Sequence, residues 1–260
     1  MKFFTAILFL FLPLAVFAGD KLFVAAAANF VYVLDPLNAQ FKKLEPETEV
    51  TVVTGSSGNL VAQITNGAPY DLFLSADMQF PEALIKSGCG EKETLTRFAT
   101  GRLVLWTTKP GLELPSVADA VRSPAVQKLA IANVETAPYG RAAKEALVKL
   151  GAWTAAEPKI VTGENITQTA QFIETGNADA GFVAMSLVLS PKLKKKGTWI
   201  EVPPELYAPL DHGAVITRHG RANMAAKRYL LFLHSAEARE IFARFGYRVP
   251  DTNVPFQLDF

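Results

Sequence analysis

The sequence has a single cysteine, Cys89, and three histidines, so the side chains that most often hold metals or form disulfides are nearly absent. One cysteine cannot form an internal disulfide, and His212, His219 and His234 lack the spacing of a metal-ligating motif. A Gly-x-Ser-x-Gly nucleophile elbow, a phosphate-binding P-loop and a dinucleotide fingerprint are also missing. These absences exclude a small fold stabilised by internal disulfides and argue against the common classes of enzyme.

The chain also lacks an excess of charge of either sign. Its 26 Lys and Arg residues nearly balance its 25 Asp and Glu residues, and the formal net charge is +1. No basic stripe interleaved with aromatic residues is present, which argues against nucleic acid as the main partner. Because 50% of the residues are apolar, the chain can bury a substantial core.

Long hydrophobic runs are limited to residues 3–17, which follow Lys2 and precede Ala18. A basic start, a short apolar segment and small residues at its end are typical of a secretory signal peptide. The run is short for a membrane span, which needs about 20 residues. We expect residues 1–18 to be removed after Ala18 and the protein to be periplasmic; a retained N-terminal anchor is the alternative.

Strand patterns and helix patterns alternate along the rest of the chain. This alternation predicts an α/β fold with parallel strands covered by helices on both faces. We predict two lobes, the second inserted into the first: lobe 1 comprises residues 19–108 and 206–260, and lobe 2 comprises residues 109–205. Strands are predicted at 22–27, 49–54, 70–75, 102–108, 129–132, 159–161, 180–183 and 212–217, and helical sequence at the C-terminus over 223–245.

Four segments place a turn of small or polar residues between a strand pattern and a helix pattern: residues 25–30, 54–60, 137–140 and 163–166. The clearest is 54–60, where Gly55, Ser56, Ser57 and Gly58 separate a β-branched run from helical spacing. Free amides and hydroxyls at the start of a helix favour an anion. Four such corners in one chain predict an anion-binding protein.

Each candidate residue at these corners also has a purely structural interpretation. Ser57 and Asn29 are common helix caps, and Tyr139 is consistent with an aromatic side chain in a surface turn. Ile166 offers only its backbone amide. Arg141 is the most suitable cation, although a solvated helix face is the commoner explanation for an arginine with Lys144 three residues on.

Several motifs in order resemble the periplasmic molybdate-binding proteins that feed an ABC importer. They are Ala-Ala-Ala-Ala-Asn-Phe at 25–30, Gly-Ser-Ser-Gly-Asn-Leu at 55–60, Asp-Leu-Phe-Leu-Ser-Ala-Asp at 71–77, Ala-Pro-Tyr-Gly at 137–140, Ala-Gly-Phe-Val-Ala at 180–184 and Phe-Ala-Arg-Phe-Gly-Tyr at 242–247. The resemblance covers essentially the whole mature chain. Its more specific parts are the segments 71–77 and 137–140.

The resemblance implies a two-lobed type II periplasmic binding protein fold. Each lobe is expected to hold a mainly parallel sheet flanked by helices, with the ligand cleft between the lobes. It further implies high-affinity capture of a tetrahedral oxyanion, molybdate or tungstate, at Ala28, Asn29, Ser57, Tyr139 and Ile166. Asn29, Ser57, Tyr139 and Ile166 are the expected ligands of the oxyanion, with no bare metal cation. We expect no cofactor and no enzymatic activity, a monomer, and a membrane permease as partner.

Two positions depart from the commoner pattern of that family. Ala28 stands where a serine is usual, and Ala184 stands where a tyrosine donor is usual. We expect the carboxamide of Asn29 and the phenol of Tyr139 to compensate for the two missing donors.

Two other functions are compatible with the sequence. One is a binding protein of the same architecture for sulfate, thiosulfate or a small organic acid. The other is a secreted serine hydrolase in which Ser57, His212 and an aspartate form a triad.

Overall fold

The structure is a computed structural model that describes residues 20–250. The expected signal peptide, its cleavage after Ala18 and residues 251–260 of the predicted first lobe lie outside the described residues. Within residues 20–250, no helix is long and apolar enough to cross a membrane.

Ten strands and ten α-helices follow one another along the described chain. The strands are β1 (Lys21–Ala27), β2 (Glu49–Gly55), β3 (Leu72–Leu74), β4 (Thr96–Gly101), β5 (Leu103–Thr107), β6 (Leu129–Ala132), β7 (Ile160–Gly163), β8 (Ala180–Ala184), β9 (Thr198–Glu201) and β10 (Leu210–Ile216). The helices are α1 (Leu34–Leu44), α2 (Ser57–Thr65), α3 (Gln79–Lys86), α4 (Val117–Arg122), α5 (Pro138–Lys149), α6 (Trp153–Ala156), α7 (Ile166–Glu174), α8 (Met185–Val188), α9 (Met224–Phe232) and α10 (Ala236–Arg244). Short 3-10 turns lie at Ala28–Phe30, Lys92–Thr94, Glu157–Lys159, Pro204–Leu206 and His219–Ala222.

The strands form two five-stranded sheets, one in each lobe. The first sheet has the order β2-β1-β3-β10-β4 and the second has the order β7-β6-β8-β5-β9. The two-lobed α/β fold is confirmed, and each sheet is mixed, with four strands that point the same way and one that runs against them. In the first sheet β10 runs antiparallel to β3 and β4, and in the second β5 runs antiparallel to β8 and β9.

The sheet pairing corrects the predicted position at which the chain leaves the first lobe. The strand β5 was assigned to the first lobe, which was predicted to end at residue 108, but it pairs with β8 and β9 of the second sheet. The chain therefore crosses at Arg102, between β4 and β5, and returns between β9 and β10. An apolar strand pattern does not specify which sheet a strand joins, because both sheets bury such strands on both faces.

Alternate residues of the first sheet face two different helical layers. In β1, Val24 and Ala26 belong to the main core, whereas Ala25 belongs to a smaller cluster with Leu60 of α2 and Leu84 of α3. This alternation follows from the period of two residues along a strand. Both faces are therefore covered, which explains why these strands are almost continuously apolar.

Two short strands, β4 and β9, were not predicted. The amphipathic helices predicted over 223–245 are α9 and α10, with a break between them. The break occurs where the Ser235 hydroxyl accepts a hydrogen bond from the Ala238 amide at 3.2 Å. A serine N-cap of this kind starts a new helix although the apolar spacing continues.

The helix α5 packs so closely on β6 that Gly140 has no room for a side chain. A Cβ placed on Gly140 would lie 2.2 Å from the carbonyl oxygen of Ala132. We expect Gly140→Ala to lower the free energy of unfolding by about 1–3 kcal/mol, because the backbone must shift to relieve the clash. Urea denaturation measures this change.

The matched control is Gly55→Ala, whose added Cβ would lie 3.4 Å from the Leu60 side chain, an ordinary contact distance. Equal loss of stability in the two variants would contradict the packing argument.

Candidate functional site

Strand pairing brings the four predicted corners together in two adjacent pairs. In the first lobe, Ala27 at the end of β1 is the register partner of Gly55 at the end of β2. In the second lobe, Ala132 at the end of β6 is the register partner of Gly163 at the end of β7. Because parallel strands end at the same edge of a sheet, the turns that follow them start side by side.

The four corners line a single small cavity between the lobes, with a volume of only about 10 Å³. Its lining residues are Ala27, Ala28, Asn29, Gly55, Ser56, Ser57, Ala76, Ala137, Pro138, Tyr139 and Ile166. All five residues predicted to bind the ligand (Ala28, Asn29, Ser57, Tyr139 and Ile166) are among them. Their role as ligands stays a prediction.

Backbone amides provide the first set of donors at this cavity. The amides of Asn29, Ser57, Tyr139 and Ile166 donate to no atom within residues 20–250. Such free amides are expected in the first turn of a helix, where no preceding carbonyl is in reach. The amides of three of these residues lie at the N-termini of α2, α5 and α7. Since each N-terminus carries about half a positive charge, three together supply roughly 1.5 units.

Local sequence determines which amide stays free at each corner. In α7, the Asn165 side chain accepts from the amides of Thr167 and Gln168, both at 3.0 Å, so the Ile166 amide remains available. In α5, Pro138 occupies the first position and has no N–H, which makes Tyr139 the first donor of that helix.

Two serine hydroxyls provide the second set of donors. Ser57 Oγ accepts a hydrogen bond from the Ala76 amide at 3.1 Å, so its own proton is available to a ligand. Ser56 Oγ is buried and has no partner within the described residues. Ser56 was not among the predicted ligand residues, although its position before α2 was a usable signal. A buried hydroxyl without a partner is unusual and indicates a missing acceptor.

The side chain of Asn29 does not donate to the cavity, which corrects the expected compensation for Ala28. Its Nδ2 atom donates to His212 Nε2 and to Tyr247 Oη, both at 2.8 Å. Since Nδ2 carries only two protons, the carboxamide has none left for a ligand. Of the two N–H groups of Asn29, only the backbone amide remains free at the cavity.

The tautomer of His212 fixes this orientation of the Asn29 carboxamide. His212 Nδ1 lies 2.7 Å from the carbonyl oxygen of Leu210 and must carry the proton there. Nε2 is then an acceptor, and only the NH₂ end of the carboxamide can face it. Burial lowers the pKa of His212 from 6.5 to about 4, so the ring is neutral at pH 7.

The phenol of Tyr139 also lies outside the donor set. A Cβ placed on Gly101 would lie 2.2 Å from Tyr139 Oη and 2.5 Å from His212 Cε1, so the hydroxyl lies against Gly101, which does not line the cavity. Burial raises the pKa of Tyr139 well above 10, which keeps the phenol neutral. The expected replacement for the tyrosine missing at Ala184 is therefore not supported, because the phenol lies against a residue outside the cavity lining.

Hydrogen bonds between the lobes show that the cleft is closed. Thr167 Oγ1 donates to the Ala28 carbonyl and Ser186 Oγ donates to the Asn29 carbonyl, each at 2.9 Å. The Gly58 amide donates to the Thr136 carbonyl, also at 2.9 Å. The first corner is thus held by side chains of the second lobe.

No charged side chain lines the cavity. Arg141, the predicted candidate cation, forms an ion pair with Asp77 across the cleft. Among the described residues, no group of three or more His, Cys, Asp and Glu side chains could hold a metal ion. A triad around Ser57 is not supported, since His212 Nε2 is bonded to Asn29 and Ser57 Oγ to the Ala76 amide.

Comparison with known proteins identifies relatives that match nearly the whole chain. The family described as bacterial extracellular solute-binding protein matches residues 22–248. The molybdate-binding protein ModA of Rhodobacter capsulatus is 40% identical over 232 residues, which cover 88% of this chain and 89% of that protein.

Solved structures agree with this similarity. The periplasmic molybdate-binding protein of Azotobacter vinelandii superposes with a TM-score of 0.82 at 34% identity, covering 88% of this chain and 100% of that one. The sulfate-binding protein SubI of Mycobacterium tuberculosis has a TM-score of 0.68 at 14% identity, covering 89% of this chain and 88% of that one. At that identity the likeness concerns the fold alone.

The neutral state of His212 predicts a loss of stability at acidic pH. Its pKa is about 4 in the folded protein, below the ordinary value of 6.5, so between these values only the unfolded chain binds the proton. Stability therefore falls as the pH drops from 6.5 to 4. The full effect of this one group is about 3 kcal/mol, of which about 2 kcal/mol is lost between pH 7 and pH 5.

Urea denaturation of the wild type and His212→Gln at pH 7 and pH 5 measures this contribution. The variant should lose about 2 kcal/mol less than the wild type over that interval. His234, whose pKa is also lowered to about 4, is present in both proteins, so its contribution cancels. Identical losses would contradict the assignment.

Proposed function

The chain belongs to the family of bacterial extracellular solute-binding proteins, and we propose that it captures molybdate between its lobes and delivers it to the membrane permease of an ABC importer. The observation that carries this proposal is the convergence of free amides and hydroxyls from both lobes on a cavity without a charged side chain. Tungstate has nearly the same size and charge, so we infer that it binds too. The proposed location is the periplasm.

Neutral donors are sufficient to bind a doubly charged oxyanion. The helix N-termini place roughly 1.5 units of positive charge at the cavity, spread over fixed amides. Hydrogen bonds to a charged acceptor are shorter and stronger than those between neutral groups, and the hydroxyls of Ser56 and Ser57 are placed to make them. Because these donors are already oriented by the fold, little reorganisation accompanies binding.

The same donor set supports discrimination against protonated anions. Ser57 Oγ already accepts from the Ala76 amide, so it presents its proton rather than a lone pair to the cavity. An anion that carries a proton, such as hydrogen phosphate, brings a donor that would meet other donors. Sulfate is dianionic but smaller, and a cage matched to the larger tetrahedron leaves some of its oxygens too far from their donors.

Ligand capture would favour the closed state of the protein. The donors at the cavity are divided between the lobes, with Asn29 and Ser57 in the first and Tyr139 and Ile166 in the second. Only the closed cleft completes the set, so the ligand stabilises that state, and the permease can distinguish it from the open one.

An anion panel tests the ligand assignment. Molybdate and tungstate should raise the melting temperature, since a ligand that binds only the native state stabilises it. Sulfate should have a weaker effect, and phosphate should have little. Calorimetry that finds sulfate binding as tightly as molybdate would contradict the size argument. A larger rise in melting temperature with a small organic acid would identify that acid, rather than molybdate, as the ligand.

Ser57→Ala tests the hydroxyl donor. We expect it to weaken molybdate binding about tenfold or more in calorimetry, because a hydrogen bond to a charged partner contributes about 1.5–3 kcal/mol. The matched control is Tyr139→Phe, which also removes one hydroxyl but one that lies against Gly101 outside the cavity. That variant should bind within about threefold of the wild type. An equal loss in both variants would place the Tyr139 phenol in the site.

A further inference from the structure

An ion pair next to the cavity crosses the cleft. Arg141 of α5 in the second lobe pairs with Asp77 of the first lobe. The Asp77 side chain is only 5% exposed, whereas that of Arg141 is 29% exposed. Asp77 Oδ1 also accepts from the Phe80 amide at 3.1 Å and from Ser75 Oγ at 3.3 Å. The carboxylate is thus held in place by its own lobe, while its cationic partner belongs to the other lobe.

Both members of the pair are adjacent in sequence to groups that line the cavity. Asp77 follows Ala76, which lines the cavity and whose amide donates to Ser57 Oγ at 3.1 Å. Arg141 lies two residues after Tyr139, in the first turn of α5. Neither Asp77 nor Arg141 lines the cavity itself. The pair therefore lies behind the donors and does not replace them.

On its outer side the pair lines a surface cleft that is rich in carboxylates. Asp77, Arg141, Glu145 and Asp211 are all among its lining residues. Of the described residues that line this cleft, Arg141 is the only cation. Asp211 is paired with Arg97, and Glu145 accepts from the Ala208 amide, so neither takes Arg141 from Asp77.

We propose that Arg141 is a positioning residue for the anion: it neutralises the buried Asp77 carboxylate beside the cavity without contacting the ligand. This inference rests on the proposed function. An unpaired carboxylate in a poorly hydrated wall would repel a dianion, because charges interact more strongly there than in water. When the lobes separate, Arg141 moves away with the second lobe, so the carboxylate is neutralised only in the closed state. Closure and anion capture are linked through this pair.

A set of substitutions that remove charge but keep a polar side chain separates neutralisation from direct contact. The variants are Arg141→Gln, Asp77→Asn and the two combined, with molybdate affinity measured by calorimetry at low and high salt. We expect Arg141→Gln to weaken binding about tenfold or more, since it leaves one partner of a buried pair uncompensated. Asp77→Asn should bind at least as tightly as the wild type, and the double variant should recover to within about threefold of it.

The control is Lys144→Gln, which removes a positive charge from the same helix. Lys144 lies over the Trp153 ring at 5.2 Å and does not line the cavity or the outer cleft. This variant should bind like the wild type. The loss in Arg141→Gln should shrink in high salt, because Arg141 is partly exposed and its interactions are screened. Melting temperatures without ligand identify any variant that fails to fold.

The outcomes separate the two proposals. If the double variant binds molybdate as weakly as Arg141→Gln, Arg141 either contacts the ligand or only holds the two lobes together. Either result would contradict the proposal that it neutralises Asp77. Wild-type affinity in Arg141→Gln would overturn it as well. If the wild type binds sulfate but not molybdate, the proposed function fails, and the same four variants measured with sulfate decide the role of Arg141. A wild type that binds none of molybdate, tungstate, sulfate and phosphate overturns both.

Discussion

Helix N-termini that converge on one point are the constraint that organises both lobes. A dianion can be held without a cation only if several fixed dipoles end at the same place, and a single helix supplies only about half a unit of charge. Parallel strand pairs meet this requirement. The ends of β1 and β2 are register partners, as are those of β6 and β7, so the two turns of each lobe start side by side. The cavity lies where these two pairs face each other.

The residues that line the cavity are divided between two lobes, so the cavity is complete only when the cleft is closed. The first corner shows this most directly, because its Ala28 and Asn29 carbonyls accept hydrogen bonds from Thr167 and Ser186 of the second lobe. These bonds satisfy both carbonyls, while the Asn29 amide has no acceptor among the described residues. The ion pair between Asp77 and Arg141 also joins the two lobes. The closed state brings Arg141 to a carboxylate that the first lobe holds in place.

The first corner also packs on a buried polar cluster. His212, Tyr247 and Asn29 exchange hydrogen bonds among aromatic rings, with Phe30 stacked on Tyr247 at 5.8 Å between centroids. Burial keeps His212 uncharged and raises the pKa of Tyr247 above its usual range, so this support carries no charge of its own. The Asn29 carboxamide belongs to this scaffold, and that role explains why it is not available to the ligand.

Local patterns in the sequence determined the elements and the corners. β-Branched runs, apolar spacing and turn residues predicted eight of the ten strands within a few residues, because these signals depend on neighbours along the chain. The same signals placed free amides before α2, α5 and α7, and the residues at those positions do line the cavity. Motif resemblance added the type II periplasmic binding protein fold and the class of ligand. The strands β4 and β9 were missed, although strands as short as β6 and β7 were predicted.

Tertiary structure decided what each side chain does at those corners. The sequence could not assign β5 to the second sheet, because its apolar pattern suits either one. Nor could it exclude the Asn29 carboxamide and the Tyr139 phenol as donors, since their partners, His212 and Gly101, are distant in sequence. The pairing of Arg141 with Asp77 joins residues 64 positions apart. Backbone amides are placed by local structure, whereas a side chain is directed by whatever the folded chain brings next to it.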